Sequence, residues 1–189
     1  MSGVSHLFTP FRIGGLTLKD RVIAYMPRYA PWAARLAPLS NAMAGAFKGM
    51  LGFARERALP KWRGDAFDER SGGGSGTREG PHREVALFVD TFNRYFEREN
   101  LDAAMNVLSA GGYRVHAALP KDGDARPLCC GRTFLSAGLV SEARAELDRL
   151  VTAFAPFAAR GVPIVGLEPS CLLTLRDELA SLRKDDQAK

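Results

Sequence analysis

The residues with the most distinctive chemistry in this chain are its three cysteines. Two form the vicinal pair Cys129-Cys130, which Gly131 follows directly, and the third is Cys171. Thiolates bind zinc and iron–sulfur clusters, and a glycine beside them lets the backbone come close to an inorganic core. Adjacent cysteines form only a strained disulfide with each other, so a structural staple within the pair is disfavoured. The pattern indicates a metal site, and the alternative is that all three thiols are small buried apolar groups.

The elements that position these cysteines alternate between strand and helix. Short apolar runs at 85–89, 113–119 and 162–167 predict three buried strands. Apolar residues at helical spacing predict helices over 100–111 and 141–157, and a third from residue 171 to about 182. In the first of these helices, the residues expected to face inward are Leu101, Ala104, Val107 and Leu108. Strands that alternate with helices form parallel sheets with right-handed crossovers. The sequence therefore predicts an α/β fold, a small three-layer domain with a short parallel sheet.

This topology predicts where the reactive side chains lie. Thr91 follows the first strand, Cys129-Cys130 the second, and Glu168 with Cys171 the third. Ligands of open parallel sheets gather at the carboxyl ends of the strands, so these residues should meet at one edge. Cys171 near a helix N-terminus would have its thiolate favoured by the helix dipole. His116, alone on the second strand, is interpreted as a structural residue.

The cysteine spacing resembles a known family. Cys129-Cys130-Gly131, a gap of 36 residues and then Glu168-Pro-Ser-Cys171 resemble the cysteine-rich CCG domain of the heterodisulfide reductase B subunit and of flavin-linked oxidases. Thr91 and Glu168 stand where that family has cysteines. The resemblance implies a 4Fe–4S cluster held by Cys129, Cys130, Cys171 and Glu168, with Gly131 beside it, and a role in electron transfer. A zinc-binding domain and a metal-free interaction domain are the alternatives.

A second segment narrows the resemblance. RYAPWAARLAP, residues 28–38, resembles the segment before the last cysteine-rich domain in proteobacterial fusions of a FAD-linked oxidase with an iron–sulfur oxidoreductase. This implies a module or fragment of a flavin-linked 2-hydroxy-acid oxidoreductase without its own catalytic site. The implied partner is a flavin-containing subunit or another electron-transfer protein.

Residues 1–63 are predicted to be a helical N-terminal extension. Within it, residues 7–23 alternate across Gly14-Gly15 and predict a hairpin. They resemble the start of Old Yellow Enzyme-type NADH:flavin oxidoreductases, which leaves a fragment of such an enzyme as a further alternative. Because no (β/α)₈ barrel follows, no FMN or FAD is expected on this chain. Apolar residues at three- and four-residue steps then predict an amphipathic helix over about 32–58 that packs in the core, or else faces a partner or membrane surface.

The rest of the chain divides by composition. Residues 64–83 are rich in glycine and serine and predict a flexible linker, and 183–189 are a charged tail. The resemblance implies that residues 84–182 are a CCG-type domain. The apolar fraction of 46% and charged fraction of 25% are typical of a soluble globular protein. The net charge of +5 is scattered, so nucleic-acid binding is not expected, and neither is a membrane span. An odd number of cysteines with a vicinal pair fits a cytoplasmic location.

Overall fold

A computed structural model describes residues 15–68, 83–121 and 126–182 of the chain. The part before the sheet contains helices α1 (Leu18–Ala24), α2 (Met26–Arg35) and α3 (Ala37–Phe47). The sheet region contains β1 (Arg83–Phe88), α4 (Thr91–Tyr95), α5 (Arg98–Ala110), β2 (Tyr113–Ala117), α6 (Arg132–Ser136), α7 (Val140–Ala158) and β3 (Ile164–Gly166). The chain then forms α8 (Pro169–Leu173), a π-helical turn (Thr174–Glu178) and α9 (Leu179–Leu182).

The three strands form a parallel sheet in the order β2-β1-β3. β1 is the central strand, with Val85 opposite Val115 of β2 and Leu87 opposite Val165 of β3. Residues 85–89 are all buried, as expected for a central parallel strand that is covered on both faces. The predicted α/β class with a short parallel sheet is confirmed.

Helices cover both faces of this sheet. On one face Ala86 and Phe88 pack with Leu150 and Phe154 of α7. On the other face the alternate residues of β1 pack against α5; the contacting side chains are Val85, Leu87, Leu101 and Met105. The side chains of a strand alternate between faces, so β1 contributes to both cores and the fold has three layers.

The inward face of α5 differs from the prediction. Val107 was expected to point inward, but it is 70% exposed, and Met105 is buried in its place. Leu101, Met105 and Leu108 lie on one side of the helix, and the four-residue step from Leu101 to Met105 turns Val107 away from the sheet. The helix ends where predicted, at Gly111-Gly112, and Gly112 has a φ of +78°.

The N-terminal hairpin prediction is wrong for the residues that can be checked. Residues 7–14 lie outside the described part of the chain, and residues 18–23, expected to continue the hairpin, belong to helix α1. Thr17 caps this helix: its hydroxyl accepts a hydrogen bond from the Asp20 amide, and the Asp20 carboxylate accepts from the Thr17 amide. This capping box provides hydrogen-bond partners for backbone amides at the start of the helix, which favours helix over strand here.

The helix predicted over 32–58 is two helices, which are interrupted at Leu36 and end at Phe47. Pro38 lies in the first turn of α3, where a proline needs no amide partner. The apolar row predicted to pack in the core is exposed; its members are Leu36, Leu39, Met43, Phe47 and Met50. Spacing shows that these side chains share one side of the helix, but it does not show what covers them.

Small residues attach the N-terminal helices to the sheet domain. Ala24 is fully buried against Phe134 and Ala143, and its carbonyl accepts a hydrogen bond from the Thr133 hydroxyl at 2.9 Å. The Tyr25 ring meets Phe134 edge-on, with ring centroids 5.2 Å apart. The predicted extension is therefore packed on the domain, and α1 and α2 share its core.

The start of the predicted linker is also packed. Phe67 is 4% exposed and contacts the α5 side of the sheet, and its carbonyl accepts a hydrogen bond from Arg94 at 2.8 Å. Residues 69–82 of the predicted linker and the tail at 183–189 lie outside the described residues. Across the parts of the chain that are described, no helix has the length and apolar character needed to cross a membrane.

Candidate functional site

The loops that follow the strands bring two of the predicted ligands into contact. Cys130 follows β2 and Cys171 lies in the first turn of α8, which follows β3. The thiol of Cys130 donates to the sulfur of Cys171, with the two Sγ atoms 2.9 Å apart. Cys129 hydrogen-bonds to Cys130, and its sulfur accepts the Gly131 amide at 3.4 Å. The structure thus places the three sulfurs in one chain of contacts.

The thiol cluster, defined as Cys129, Cys130 and Cys171, lies inside the protein. Its members are 4%, 3% and 3% exposed. The hydrogen bond to Cys130 and burial raise the pKa of Cys129 well above its usual range. The bond from Cys129 lowers the pKa of Cys130, but the contact with Cys171 and burial outweigh it and the pKa is raised. Cys129 and Cys130 are therefore neutral thiols at pH 7 and weak nucleophiles.

Glu168 uses its carboxylate to begin helix α8. Its Oε1 atom accepts hydrogen bonds from the Ser170 amide at 3.1 Å and the Ser170 hydroxyl at 2.7 Å. An oxygen with these two donors caps the helix. Thr91, which stands where a family cysteine is expected, is buried in the first turn of α4.

The residues present do not fit either inorganic group that the sequence suggested. Two thiolates on one tetrahedral zinc ion stand about 3.8 Å apart, since each Zn–S bond is about 2.3 Å. The 2.9 Å between the Sγ atoms of Cys130 and Cys171 is shorter than this spacing. A 4Fe–4S cluster needs about four thiolates, and this chain has three cysteines. Within residues 15–68, 83–121 and 126–182, no group of three or more His, Cys, Asp or Glu side chains is arranged to hold a metal.

Gly131 has a structural task at this site. Its φ is +79°, in the left-handed region that glycine adopts without strain. A Cβ atom built here would lie 2.8 Å from the carbonyl oxygen of Ala143 and 3.2 Å from its Cα. The sequence suggested that this glycine lets the backbone approach a cluster. What it approaches in the structure is the backbone of helix α7.

A charged group beside the thiols was not predicted from the sequence. Glu146 of α7 is 1% exposed. Its Oε2 accepts from Arg126 at 2.7 Å and from Arg149 at 3.2 Å, and its Oε1 lies 3.6 Å from Arg28 of α2. This group, called here the Glu146 clamp, ties α2 and the loop before the cysteines to α7. The sequence signal for this group is an acid on the apolar side of α7, but one of its partners, Arg28, lies 118 positions before it in the sequence.

A second polar contact joins the cysteine loop to α8. The Arg132 guanidinium donates to the Thr174 hydroxyl at 2.9 Å, and that hydroxyl donates to the Ser170 carbonyl at 2.9 Å. Thr174 is fully buried and begins the π-helical turn. Because Arg132 follows the Cys-Cys-Gly sequence and Thr174 lies one turn after Cys171, this contact helps to hold the two halves of the thiol cluster together.

His116 is placed away from the thiol cluster. It lies on β2, with its Nε2 atom 3.2 Å from the Glu84 carboxylate, and its ring is 5.6 Å from that of Phe157. These contacts agree with its interpretation as a structural residue.

Comparison with known proteins gives one relation to a curated protein. The chain is 34% identical over 96 residues to a D-2-hydroxyglutarate dehydrogenase from Pseudomonas putida. The matched segment is 51% of this chain and 9% of that protein. The chain thus corresponds to about a tenth of the length of its curated relative. No family model matches the chain, and no solved structure matches it.

Proposed function

We propose that this chain is an accessory module of a flavin-linked oxidoreductase that acts on a 2-hydroxy acid, with no catalytic site of its own. The observation that carries the proposal is the similarity to a D-2-hydroxyglutarate dehydrogenase over half of the chain. The resemblance of residues 28–38 and of the Cys-Cys-Gly sequence to FAD-linked fusions supports the same context. In this proposal the flavin belongs to the partner polypeptide.

The environment of the reactive groups supports a non-catalytic role. A catalytic nucleophile or base must reach a substrate. All three thiols are buried, and two of them have raised pKa values. Asp90 at the end of β1 is fully buried and caps α4 through the amides of Phe92 and Asn93. These groups organise the carboxyl edge of the sheet instead of opening it to a substrate.

Electron transfer through a cluster, which the CCG resemblance implies, is not part of the proposal. The donor set at the edge of the sheet has three buried thiols and a carboxylate that caps a helix. Anaerobic reconstitution with iron and sulfide tests this point. We expect well under one cluster per chain, and a higher iron content when Thr91→Cys and Glu168→Cys are combined. About four irons per wild-type chain would restore the electron-transfer role.

The exposed apolar row on α3 supports binding to a partner. Leu39 is 58% exposed, Met43 51% and Phe47 45%. Contiguous apolar side chains at a protein surface mark interaction sites. The row lies on the helix that follows the FAD-oxidase-like segment, and we assign it to contact with the flavin-bearing polypeptide.

Binding of the purified chain to the flavin-bearing 2-hydroxy-acid dehydrogenase of the same organism tests the proposal. Isothermal titration should detect a complex, and Leu39→Asp combined with Met43→Asp should weaken it at least tenfold. Val107→Asp is the matched control, because Val107 is also an exposed apolar residue but lies on α5. The chain alone should not reduce a dye with D-2-hydroxyglutarate and FAD. Absence of binding, or dye reduction by the chain alone, would contradict the proposal.

A further inference from the structure

We propose that Cys130 and Cys171 are an oxidation site, where hydrogen peroxide converts the two thiols into a reversible disulfide. The two sulfurs are already in contact at 2.9 Å. They come from segments 41 positions apart in the sequence, so the disulfide would be a covalent link between the loop after β2 and helix α8.

The surroundings of the pair favour this bond over other fates of the thiols. Both cysteines belong to the apolar cluster that contains Phe88, Leu150 and Phe154. This packing holds the sulfurs together, so folding has already covered the entropic cost of bringing the two thiols into contact. A bond between Cys129 and Cys130 is disfavoured, because adjacent cysteines form a strained disulfide and the Cys129 sulfur accepts the Gly131 amide.

The reaction balances with hydrogen peroxide as the only oxidant. The sulfur of Cys171 attacks a peroxide oxygen, the O–O bond breaks, and a sulfenic acid on Cys171 and one water form. The sulfur of the second thiol attacks the sulfenic sulfur, so that the S–S bond forms, the S–O bond breaks and a second water leaves. Two electrons pass from the sulfurs to the peroxide, and both thiol protons end in water. Thiol–disulfide exchange with dithiothreitol reverses the change.

Burial selects the oxidant. Each sulfur belongs to a residue that is 3% exposed, so a molecule of the size of peroxide has access through small fluctuations, whereas a tripeptide disulfide does not. Hydrogen peroxide should therefore oxidise the folded pair at least tenfold faster than oxidised glutathione at equal concentration. The disulfide should raise the melting temperature by about 5–15 °C, because it closes a loop of about 40 residues in the unfolded chain.

The experiment uses the full chain, reduced and then treated with excess hydrogen peroxide. After denaturation and alkylation, intact mass should show the loss of two hydrogens and one free thiol out of the three cysteines. Peptide mapping should find Cys130 linked to Cys171, and dithiothreitol should restore three thiols. Three free thiols, sulfinic acid at single cysteines, or a link between Cys129 and Cys130 would overturn the proposal.

Variants separate the pair from its neighbour. Cys129→Ser should keep the cross-link and the rise in melting temperature, whereas Cys130→Ser and Cys171→Ser should lose both. If a serine variant does not fold, the peptide map of the wild-type chain still decides the pairing. The result is independent of the proposed flavin-bearing partner, because the test contains no second protein.

Discussion

Replacement of Gly131 by alanine tests the account of the Cys-Cys-Gly sequence most directly. An alanine at a φ of +79° costs about 1–2 kcal/mol of conformational strain. Its Cβ would also lie 2.8 Å from the Ala143 carbonyl oxygen. That oxygen belongs to the backbone of α7, which cannot move aside like a side chain, and overpacking of this kind costs about 1–3 kcal/mol. The free energy of unfolding should therefore fall by about 2–5 kcal/mol.

Gly138→Ala is the matched control for this prediction. Gly138 has nearly the same backbone conformation, with a φ of +74°, but no heavy atom lies within 4 Å of an added Cβ. Urea denaturation followed by circular dichroism should give a loss of only about 1–2 kcal/mol for this control. The difference between the two variants measures the contact with α7. Equal losses would show that glycine is needed at position 131 only for its positive φ, and that the close contact with α7 does not affect stability.

Four further predictions concern the rest of the fold. Glu146→Gln should lower the free energy of unfolding in urea by about 3–5 kcal/mol, because it breaks the buried Glu146 clamp. As a control, Asp102→Asn in the exposed pair with Arg98 should cost under about 1 kcal/mol. Met43→Ser on the exposed row should change stability by under about 0.5 kcal/mol, whereas Leu147→Ala in the core should cost about 2–5 kcal/mol; equal losses would place the row in the core. Burial raises the pKa of Tyr29 to about 12 from 10.0. The stability that Tyr29 contributes relative to Tyr29→Phe should therefore be complete below pH 10 and lost as the pH rises through 12. A difference in unfolding free energy that stays constant over this range would refute the shift. Well-washed protein should show no flavin absorbance, and a stoichiometric flavin band would contradict the expectation that no FMN or FAD binds this chain.

The sheet and one contact of the candidate site could be predicted from the sequence. The run Val85–Val89 is apolar without alternation, which is the pattern of a strand buried on both faces. Once three such strands are separated by helices, parallel pairing follows, and with it the meeting of loops at one edge. The contact between Cys130 and Cys171 is a result of that topology.

Other features depend on partners that are distant in the sequence. The apolar row on α3 has the spacing of a core face, but its exposure depends on which elements already cover the sheet. The use of Glu168 as a helix cap is the exception, because its partner Ser170 is only two residues away in the sequence. The Glu146 clamp requires Arg28 and Arg126 to converge on one carboxylate. The spacing of apolar residues indicates which side chains lie on the same side of a helix, but it does not indicate which distant residues they contact.

The packing of the N-terminal helices on the sheet domain affects how the chain is made. Ala24 and Tyr25 bond to Thr133 and Glu142, which follow them by 109 and 117 positions. At about 5–20 residues per second, a ribosome takes roughly 5–25 s to supply those partners. During that interval α1 and α2 lack the surface that Thr133, Phe134 and Glu142 provide in the folded chain. Helices α1 and α2 are therefore synthesised well before the surface on which they pack.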